Sequence, residues 1–377
     1  MRQSNLPLAR RDAAMRGGNA FKLGVFSANC AGGLAKTRAP ERWEATWPNN
    51  VAVAGIADEA GLDFLLPVAR WRGLGGETDP AGSSMESLTW ASGLLAVTRD
   101  VCVFGTVHVA LVSPVFAAKQ VATADQIGTG RFGLNVVSGY NQSEFQMFGV
   151  TMLEHDERYV LAEEWLEVVR KLWTATEPFN YDGTYYQLRE LIGDPKPYAG
   201  IQPLLMSAGA SGAGQAFAAR NADCLFMVVV EIDGLAEKLA RVRAAAGDRP
   251  IGVYTSGHVV CRPTQREAEE YYHYVAHEMG DWGAVDQVLI NRQNQQTIAP
   301  EVLAQMRDRI AAGSGTFPVV GDPDHVAGTF KQLSDAGLDG MAAAFVNYID
   351  ELPYFCEHVL PRMERLAIRS PFTRKDP

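Results

Sequence analysis

The chain has 377 residues, of which 47% are apolar and 21% are charged. This balance is typical of a folded globular protein with a large core, and it argues against a disordered chain. The formal net charge of −10 disfavours nucleic acid and anionic membranes as partners, because like charges repel.

Apolar runs, the first 20 residues and the cysteines indicate where in the cell the protein is located. No run of about 18 apolar residues is present, so we expect no membrane span. The first 20 residues lack the apolar segment of a secretory signal. We therefore expect a flexible arm over residues 1–20, a single domain over 21–377 and a cytoplasmic location. The cysteines are 5 in number and form no C-x-x-C pair, which favours free thiols over disulfides or zinc.

Apolar runs of strand length alternate with helix-like stretches along the chain. The runs that predict strands are 21–28, 63–69, 101–110, 131–139, 203–210, 223–230, 251–260 and 340–346. Several are apolar at nearly every position, as expected for strands covered on both faces. A helix is predicted after each run, so the sequence indicates an α/β protein with a closed (β/α)8 TIM barrel rather than an open sheet.

Three further elements are expected along this framework. Ser83 and Glu86 have the spacing of a capping box, which predicts the start of a helix there. Residues 178–188 predict a small hairpin that turns at Asp182 and Gly183. After the seventh strand region, residues of mixed character at about 279–320 predict an insertion. Long loops in compact domains are often functional, so we expect this insertion to close over the barrel mouth as a lid.

Two patterns resemble binding motifs but lack their context. Gly128, Gly130 and Gly133 have the spacing of a dinucleotide-binding loop, but a helix precedes them and a strand follows, which reverses the required order. His273 and His277 lie four residues apart without a glutamate between them, unlike a zinc protease motif. We therefore expect neither a Rossmann-type site nor a metal site.

Polar residues at the carboxyl ends of the strands are the candidates for a functional site, since barrel active sites form there. They are residues 68–72 after the second strand, Thr106 and His108 in the third, Asn135 and Ser138 in the fourth, and Tyr140 and Glu144 just after it. The small-residue loop 207–214 opens a helix and would present backbone N–H groups to a phosphate.

Several segments of the chain resemble the luciferase-like monooxygenases, and in particular the pyrimidine and dimethylsulfone monooxygenase branches. They are GRFGLNVVSGYNQSEFQMFG at 130–149, EHDERYVLAEEWLEVVRKLW at 154–173, FNYDGTYYQL at 179–188 and PLLMSAGASGAGQAFAARNAD at 203–223. The resemblance implies a TIM barrel that uses reduced FMN (FMNH2) and O2. It also implies a separate NAD(P)H:flavin reductase as partner and a homo-oligomer, either dimer or tetramer.

The resemblance assigns flavin contacts to individual residues. It implies that Asn135 and Glu144 hydrogen-bond the flavin ring and ribityl region. Arg158 and Tyr159, in the sequence DERY, would hold the ribityl phosphate, for which a guanidinium is well suited. Ser211 would complete the phosphate cradle.

The resemblance also places O2 and the flavin ring. Val68 and Ala69 would pack along the isoalloxazine, although the family has bulkier residues at these two positions. Thr106 and Asn135 would be the catalytic pair that holds O2 beside the flavin N5. This raises a flavin N5-peroxide as the oxidant, with the C4a-peroxide as the alternative.

The substrate is left open by the sequence. Trp71, His108 and Tyr140 are candidates for the substrate pocket, and aromatic, heterocyclic, halogenated and organosulfur compounds would all fit. Residues 27–33 after the first strand contain no histidine, unlike the luciferases, so light emission is not expected. The alternatives are an F420-dependent oxidoreductase of the same superfamily, a non-catalytic FMN-binding protein and a phosphate-binding barrel aldolase or isomerase. The last would normally have a catalytic lysine or glutamate at a strand end, and we find only Glu144 and no lysine there.

Overall fold

Parallel strands close into a barrel in the computed structural model, which describes residues 14–209, 211–293 and 306–373. The strands are β1 (Lys22–Phe26), β2 (Phe64–Leu66), β3 (Cys102–His108), β4 (Phe132–Val137), β5 (Phe179–Asp182), β6 (Gln187–Leu191), β7 (Leu204–Ala208), β8 (Cys224–Phe226), β9 (Gly252–Cys261), β10 (Phe317–Gly321) and β11 (Gly340–Ala344). β1 pairs with both β2 and β11, and β9 pairs with both β8 and β11. The predicted TIM barrel is therefore confirmed, with each of its eight predicted strands present.

Helices surround the barrel and follow its strands. They are α1 (Trp47–Glu59), α2 (Ser87–Val97), α3 (Pro114–Ile127), α4 (Gln142–Met147), α5 (His155–Thr174), α6 (Gly212–Asn221), α7 (Leu235–Ala246), α8 (Gln265–His273), α9 (Trp282–Gln293), α10 (Arg307–Gly313), α11 (Pro323–Asp335) and α12 (Tyr348–Arg365), with a π-helical turn at Tyr274–Glu278. Among the described residues, no helix is long and apolar enough to cross a membrane.

The start of α2 differs from the prediction. The helix begins at Ser87, and Glu86 rather than Ser83 is its N-cap. The Glu86 carboxylate accepts hydrogen bonds from the backbone N–H groups of Leu88 and Thr89, at 3.0 and 2.7 Å. The carboxylate therefore satisfies the free N–H groups of the first turn directly, and no capping box forms.

The insertion is more ordered than an unstructured loop. Its described residues contain α9, α10 and β10, and residues 294–305 lie outside the described part. β8 covers only Gly252–Tyr254 of the long strand β9, and β10 pairs with Gly257–Cys261. The sequence did not predict β10, because Pro318 within it lacks a backbone N–H and weakens the strand pattern.

The interior of the barrel fixes which strand residues face inward. Cys102 and Phe104 of β3 belong to the apolar cluster inside the barrel, together with Met206 and Tyr254. Successive side chains of a strand point to opposite faces. Thr106 and His108 therefore continue the inward face of β3, one and two layers closer to the carboxyl end.

A buried ion pair closes the opposite, amino-terminal end of the barrel. Arg369, beyond α12, lies 3.1 Å from a carboxylate oxygen of Asp63, and both side chains are 1% exposed. Asp63 also accepts hydrogen bonds from Leu23 N and from the Asn19 amide. Residues 1–13 of the predicted arm lie outside the described residues, whereas Met15 packs into the barrel interior. The two ends of the domain thus meet at Asp63.

We predict that Arg369→Met destabilises the protein by about 3–5 kcal/mol, because it leaves the Asp63 carboxylate buried without its counter-charge. Urea unfolding followed by circular dichroism measures this change. Lys331→Met is the matched control, since it breaks an exposed pair with Asp335 that contributes about 0.5 kcal/mol or less. Equal effects of the two substitutions would contradict the prediction.

Candidate active site

Thr106 and Asn135 lie side by side at the carboxyl end of the barrel. The two residues are register partners on β3 and β4. The Asn135 amide donates to the Thr106 hydroxyl at 3.1 Å, and that hydroxyl donates to the Pro67 carbonyl at 2.8 Å. The other Asn135 side-chain atom, Oδ1, is buried and has no partner among the described residues. The structure therefore brings the predicted catalytic pair together and leaves one buried acceptor open.

The loop after β2 is held in place by a residue that the sequence did not indicate. Asn29 is fully buried, and its side chain accepts from Val68 N at 3.0 Å and donates to Val68 O at 2.8 Å. It also donates to Met85 O at 3.1 Å. Val68 and Ala69, the predicted flavin-packing residues, are thus presented by a loop whose backbone is bonded to the segment after β1.

Arg70 links this loop to the segment after β4. Its guanidinium lies 3.6 Å from the Glu144 carboxylate and also donates to the Tyr140 hydroxyl. Glu144, on the short helix α4, accepts from Trp71 N at 3.1 Å. Burial acts to lower the pKa of Arg70, but the neighbouring Tyr140 and Glu144 raise it above its ordinary value. A charged Arg70 therefore contacts Tyr140 and Glu144, and Glu144 in turn binds Trp71 N. The sequence analysis predicted these three residues as site residues without indicating that they are in contact.

His108 lies above Thr106 on the inward face of β3. The residue is 9% exposed. Burial, together with the charge of Arg70, lowers the pKa of His108 to about 4. The imidazole is therefore neutral at physiological pH, and its position agrees with the predicted site at the barrel mouth.

A second group of predicted residues forms a cradle beside α6. Ser211 is the N-cap of this helix, and its hydroxyl accepts from Gly214 N at 3.1 Å. A Cβ atom added at Gly214 would lie 2.6 Å from the Tyr159 hydroxyl, and one added at Gly209 would lie 2.6 Å from the backbone of Gly214. Only glycine permits this close approach. Tyr159 and Ser211 therefore meet at the amino end of α6, and Ala210 lies outside the described residues.

Arg158 links helix α5, which carries Tyr159, to the segment that follows strand β4. It lies on α5 next to Tyr159, and its guanidinium donates to the Gly139 carbonyl just after β4. Burial lowers its pKa, and its Nε atom is buried without a partner among the described residues. The buried cation thus retains a donor that a ligand would satisfy.

The described parts of the insertion are docked on the loops after β1 and β2. Asp281 accepts from both the N–H and the hydroxyl of Thr78, at 2.7 and 2.8 Å. Lys36 N donates to Ala311 O at 2.7 Å, and Asp281 N donates to Lys36 O at 2.8 Å. Gly76 has a φ of +78°, and a side chain there would collide with Ala284 N. The insertion and the β2 loop therefore fit together closely.

A closed parallel barrel with polar side chains at its carboxyl end is the architecture of the α/β-barrel enzymes. The particular family follows from comparison with known proteins. The chain matches the luciferase-like monooxygenase family over residues 21–340 and belongs to that family.

Relatives of known activity match almost the whole chain. An FMNH2-dependent dimethylsulfone monooxygenase of Pseudomonas putida is 29% identical over 354 residues, covering 92% of this chain and 96% of its own length. A pyrimidine monooxygenase of Allorhizobium ampelinum is 30% identical over 366 residues, covering 91% and 96%. The identification of the chain as a flavin-dependent monooxygenase of this family is thereby confirmed.

Solved structures agree with the fold. The DmoA structure from Hyphomicrobium sulfonivorans superimposes with a TM-score of 0.83 at 20% identity, covering 94% of this chain and 90% of that one. A riboflavin lyase bound to modified FMN and riboflavin superimposes with a TM-score of 0.81 at 23% identity, covering 93% and 92%.

We predict that Asn29→Ala loosens the loop after β2 and lowers stability by about 1–3 kcal/mol for each buried backbone group left unpaired. Thermal unfolding measures the loss, and hydrogen–deuterium exchange of residues 67–72 locates it. Asn29→Asp keeps the acceptor for Val68 N but places a buried carboxylate oxygen against the Val68 and Met85 carbonyls, so it should be at least as destabilising as alanine. Unchanged exchange in the alanine variant would contradict this role for Asn29.

Proposed function

We propose that the chain binds FMNH2 at the carboxyl end of its barrel and uses it with O2 to oxygenate a small organic molecule. One observation carries this proposal. Among the described residues, the buried atoms Asn135 Oδ1 and Arg158 Nε have no partner, and they belong to residues that the family resemblance assigns to the flavin and its phosphate. Buried polar groups are almost always paired. Other buried atoms of the described residues also lack partners, among them Arg369 Nε and His258 Nε2, so it is the coincidence of these two atoms of Asn135 and Arg158 with the family's flavin positions that supports a bound flavin.

The cradle at α6 suits the phosphate of FMN. The amino end of a helix favours an anion through its free N–H groups and its dipole. Gly209 and Gly214 keep this end free of side chains, and the Tyr159 hydroxyl lies against Gly214. Arg158 would supply the positive charge, and Ser211 a hydroxyl at the first turn. In this arrangement the phosphate is bound by groups from α5 and α6, away from the strands.

The strand ends would hold the flavin ring and O2. FMN, when reduced, supplies the electrons that activate O2. Val68 and Ala69 would contact the ring from the loop that Asn29 fixes, and Glu144 would orient it from α4. Asn135 Oδ1 would accept a hydrogen bond from the bound ring, while the Thr106 hydroxyl lies next to it for O2. These residues would position the reactants, and the loops after β1 and β2, with the insertion docked on them, would exclude water.

The supply of FMNH2 and the choice of substrate complete the proposal. We propose that a separate NAD(P)H:flavin reductase supplies the FMNH2 and that the chain forms a homo-oligomer, either dimer or tetramer. Trp71, His108 and Tyr140 would line the substrate pocket, since Tyr140 is 44% exposed and Trp71 packs on Phe148 at the same mouth. The relatives are named for dimethylsulfone and pyrimidine, so small polar organic molecules are the first substrates to test.

We predict that Arg158→Met weakens FMNH2 binding by about 10- to 100-fold but leaves binding of reduced riboflavin nearly unchanged. The reason is that the guanidinium would make charge-assisted hydrogen bonds to the phosphate, which riboflavin lacks. Anaerobic titration with each reduced flavin measures both affinities. Equal losses for the two flavins would place Arg158 outside the phosphate site.

The control for this titration is Arg220→Met. Arg220, which is exposed, lies in the last turn of the same helix α6 and pairs with the half-buried Glu163. The substitution removes the same charge from the opposite end of the helix, so FMNH2 affinity should not change.

If neither reduced flavin binds wild-type protein but F420 does, the alternative of an F420-dependent oxidoreductase replaces the proposed function.

We predict that Thr106→Val leaves FMNH2 affinity within about threefold of wild type but slows its reoxidation by O2 by about tenfold or more, since one positioned hydroxyl is lost. Stopped-flow mixing of the reduced complex with O2 measures the rate. Thr255→Val is the control, because Thr255 is a buried strand threonine that accepts from Val229 N instead. A parallel fall in flavin affinity would assign Thr106 to flavin binding rather than to O2.

A further inference from the structure

The His108 imidazole is a polar group that the proposed flavin site does not use. It lies on the inward face of β3, two residues beyond Thr106, and its register partner on β4 is Val137. Neither ring nitrogen forms a hydrogen bond within the described part of the chain. A neutral imidazole carries one donor and one acceptor, so the ring offers both to a ligand in the mouth.

Arg70 and Glu144 pair with each other near His108. Arg158, which donates to the Gly139 carbonyl beside His108, is assigned to the flavin phosphate by the proposed function. The ionisable groups that face this region are Arg70 from the β2 loop, Cys30 from the β1 loop, and Tyr140 and Glu144 from the segment after β4. Arg70 is matched by Glu144 at 3.6 Å. A cationic substrate would meet Arg70, and an anionic one would meet the buried Glu144 carboxylate. Either charge would have to give up its hydration without a free counter-charge.

Apolar rings line the same end of the barrel. Phe26 and Phe226 end strands β1 and β8, and both pack against the inner barrel cluster. Their ring centroids lie 5.5 Å apart, and both rings keep part of their surface exposed. Tyr140, which is bonded to Arg70, adds a third ring at the rim. The mouth therefore combines apolar surface with the unpaired imidazole of His108.

We propose that His108 is the hydrogen-bonding group by which this mouth selects an uncharged substrate with a polar group that the imidazole can bind. This inference rests on the proposed function, because it assigns the substrate class of the same site. His108 contacts the substrate through a ring nitrogen, and burial, together with the charge of Arg70, keeps the ring neutral. The site accordingly favours a neutral molecule with a carbonyl, sulfonyl or ring N–H group over its charged analogue.

Two matched pairs of small molecules test the preference. Methanesulfonate has a charged oxygen in place of one methyl group of dimethylsulfone, and orotate has a carboxylate that uracil lacks. Anaerobic calorimetric titration of the FMNH2-loaded protein gives the affinity for each. We expect at least one neutral member to bind about tenfold or more tightly than its charged partner.

Variants of His108 show whether the imidazole makes the contact. His108→Leu should lower the affinity for the favoured neutral ligand by about tenfold, which is the loss expected for one hydrogen bond. His108→Asn should keep most of the affinity, because its amide also forms hydrogen bonds. His258→Leu is the matched control. His258 is a second buried histidine, but it is bonded to Thr316 and stacked on Tyr272 under the insertion. Its loss should lower stability without changing ligand preference.

Nuclear magnetic resonance of ¹⁵N-labelled histidine gives a readout that a purely structural role would not change. The His108 ring signals should titrate with a pKa near 4 in wild type and at higher pH in Arg70→Met. They should also shift when the favoured neutral ligand is added. Failure of every neutral molecule to bind, preference for a charged one, or unmoved His108 signals would each overturn the inference.

The same samples separate this inference from the proposed function. FMNH2 binding is measured before any ligand is added. If FMNH2 does not bind, the proposed function fails, and the assignment of His108 fails with it. If FMNH2 binds and the neutral preference is absent, only the assignment of His108 fails.

Discussion

Hydrogen bonds from β1 to both β2 and β11 close the sheet into a barrel, and the position of every site residue depends on that closure. In a closed barrel the inward residues of each strand must fill the interior in layers. Phe64, Phe104 and Met206 occupy the lower part of it. Thr106 and Asn135, further along the strands, then lie at the mouth in a fixed register. Their contact is therefore set by strand pairing and not by flexible loops.

Above the strands, the need to pair buried polar groups shapes the site. Asn29 satisfies both backbone groups of Val68, and Glu144 is matched by Arg70 and Trp71 N. Because most buried groups are satisfied within the protein, the few that are not become informative. In the proposed function, a bound flavin pairs with Asn135 and Arg158, and a substrate pairs with His108. Unpaired buried atoms also occur away from this site, for example at Arg369, so they point to a ligand only where several of them lie together at the barrel mouth.

The sequence predicted the barrel well because its strands are buried on both faces and are apolar at nearly every position. Thr106, His108 and Asn135 could be found because each is a polar residue near the end of such a run. Arg70 was within the selected loop, but its contacts with Tyr140 and Glu144 join residues about 70 positions apart, and no local pattern records them. Asn29 was missed for the same reason. β10 was missed because Pro318 weakens its strand pattern and because it pairs only with the part of β9 that extends beyond β8.

The loop after β2 also has a consequence for how members of this family diverge. Its first residues, Val68 and Ala69, face the proposed flavin site, while Leu74, Gly76 and Thr78 fit against the insertion. An insertion transplanted from a relative would meet a mismatched surface unless the segment 74–78 moved with it. Chimeras that exchange the two together should fold, and their junctions should lie beyond Trp71. The insertion and this half of the loop therefore form one exchangeable module, while the half that faces the cofactor stays with the barrel.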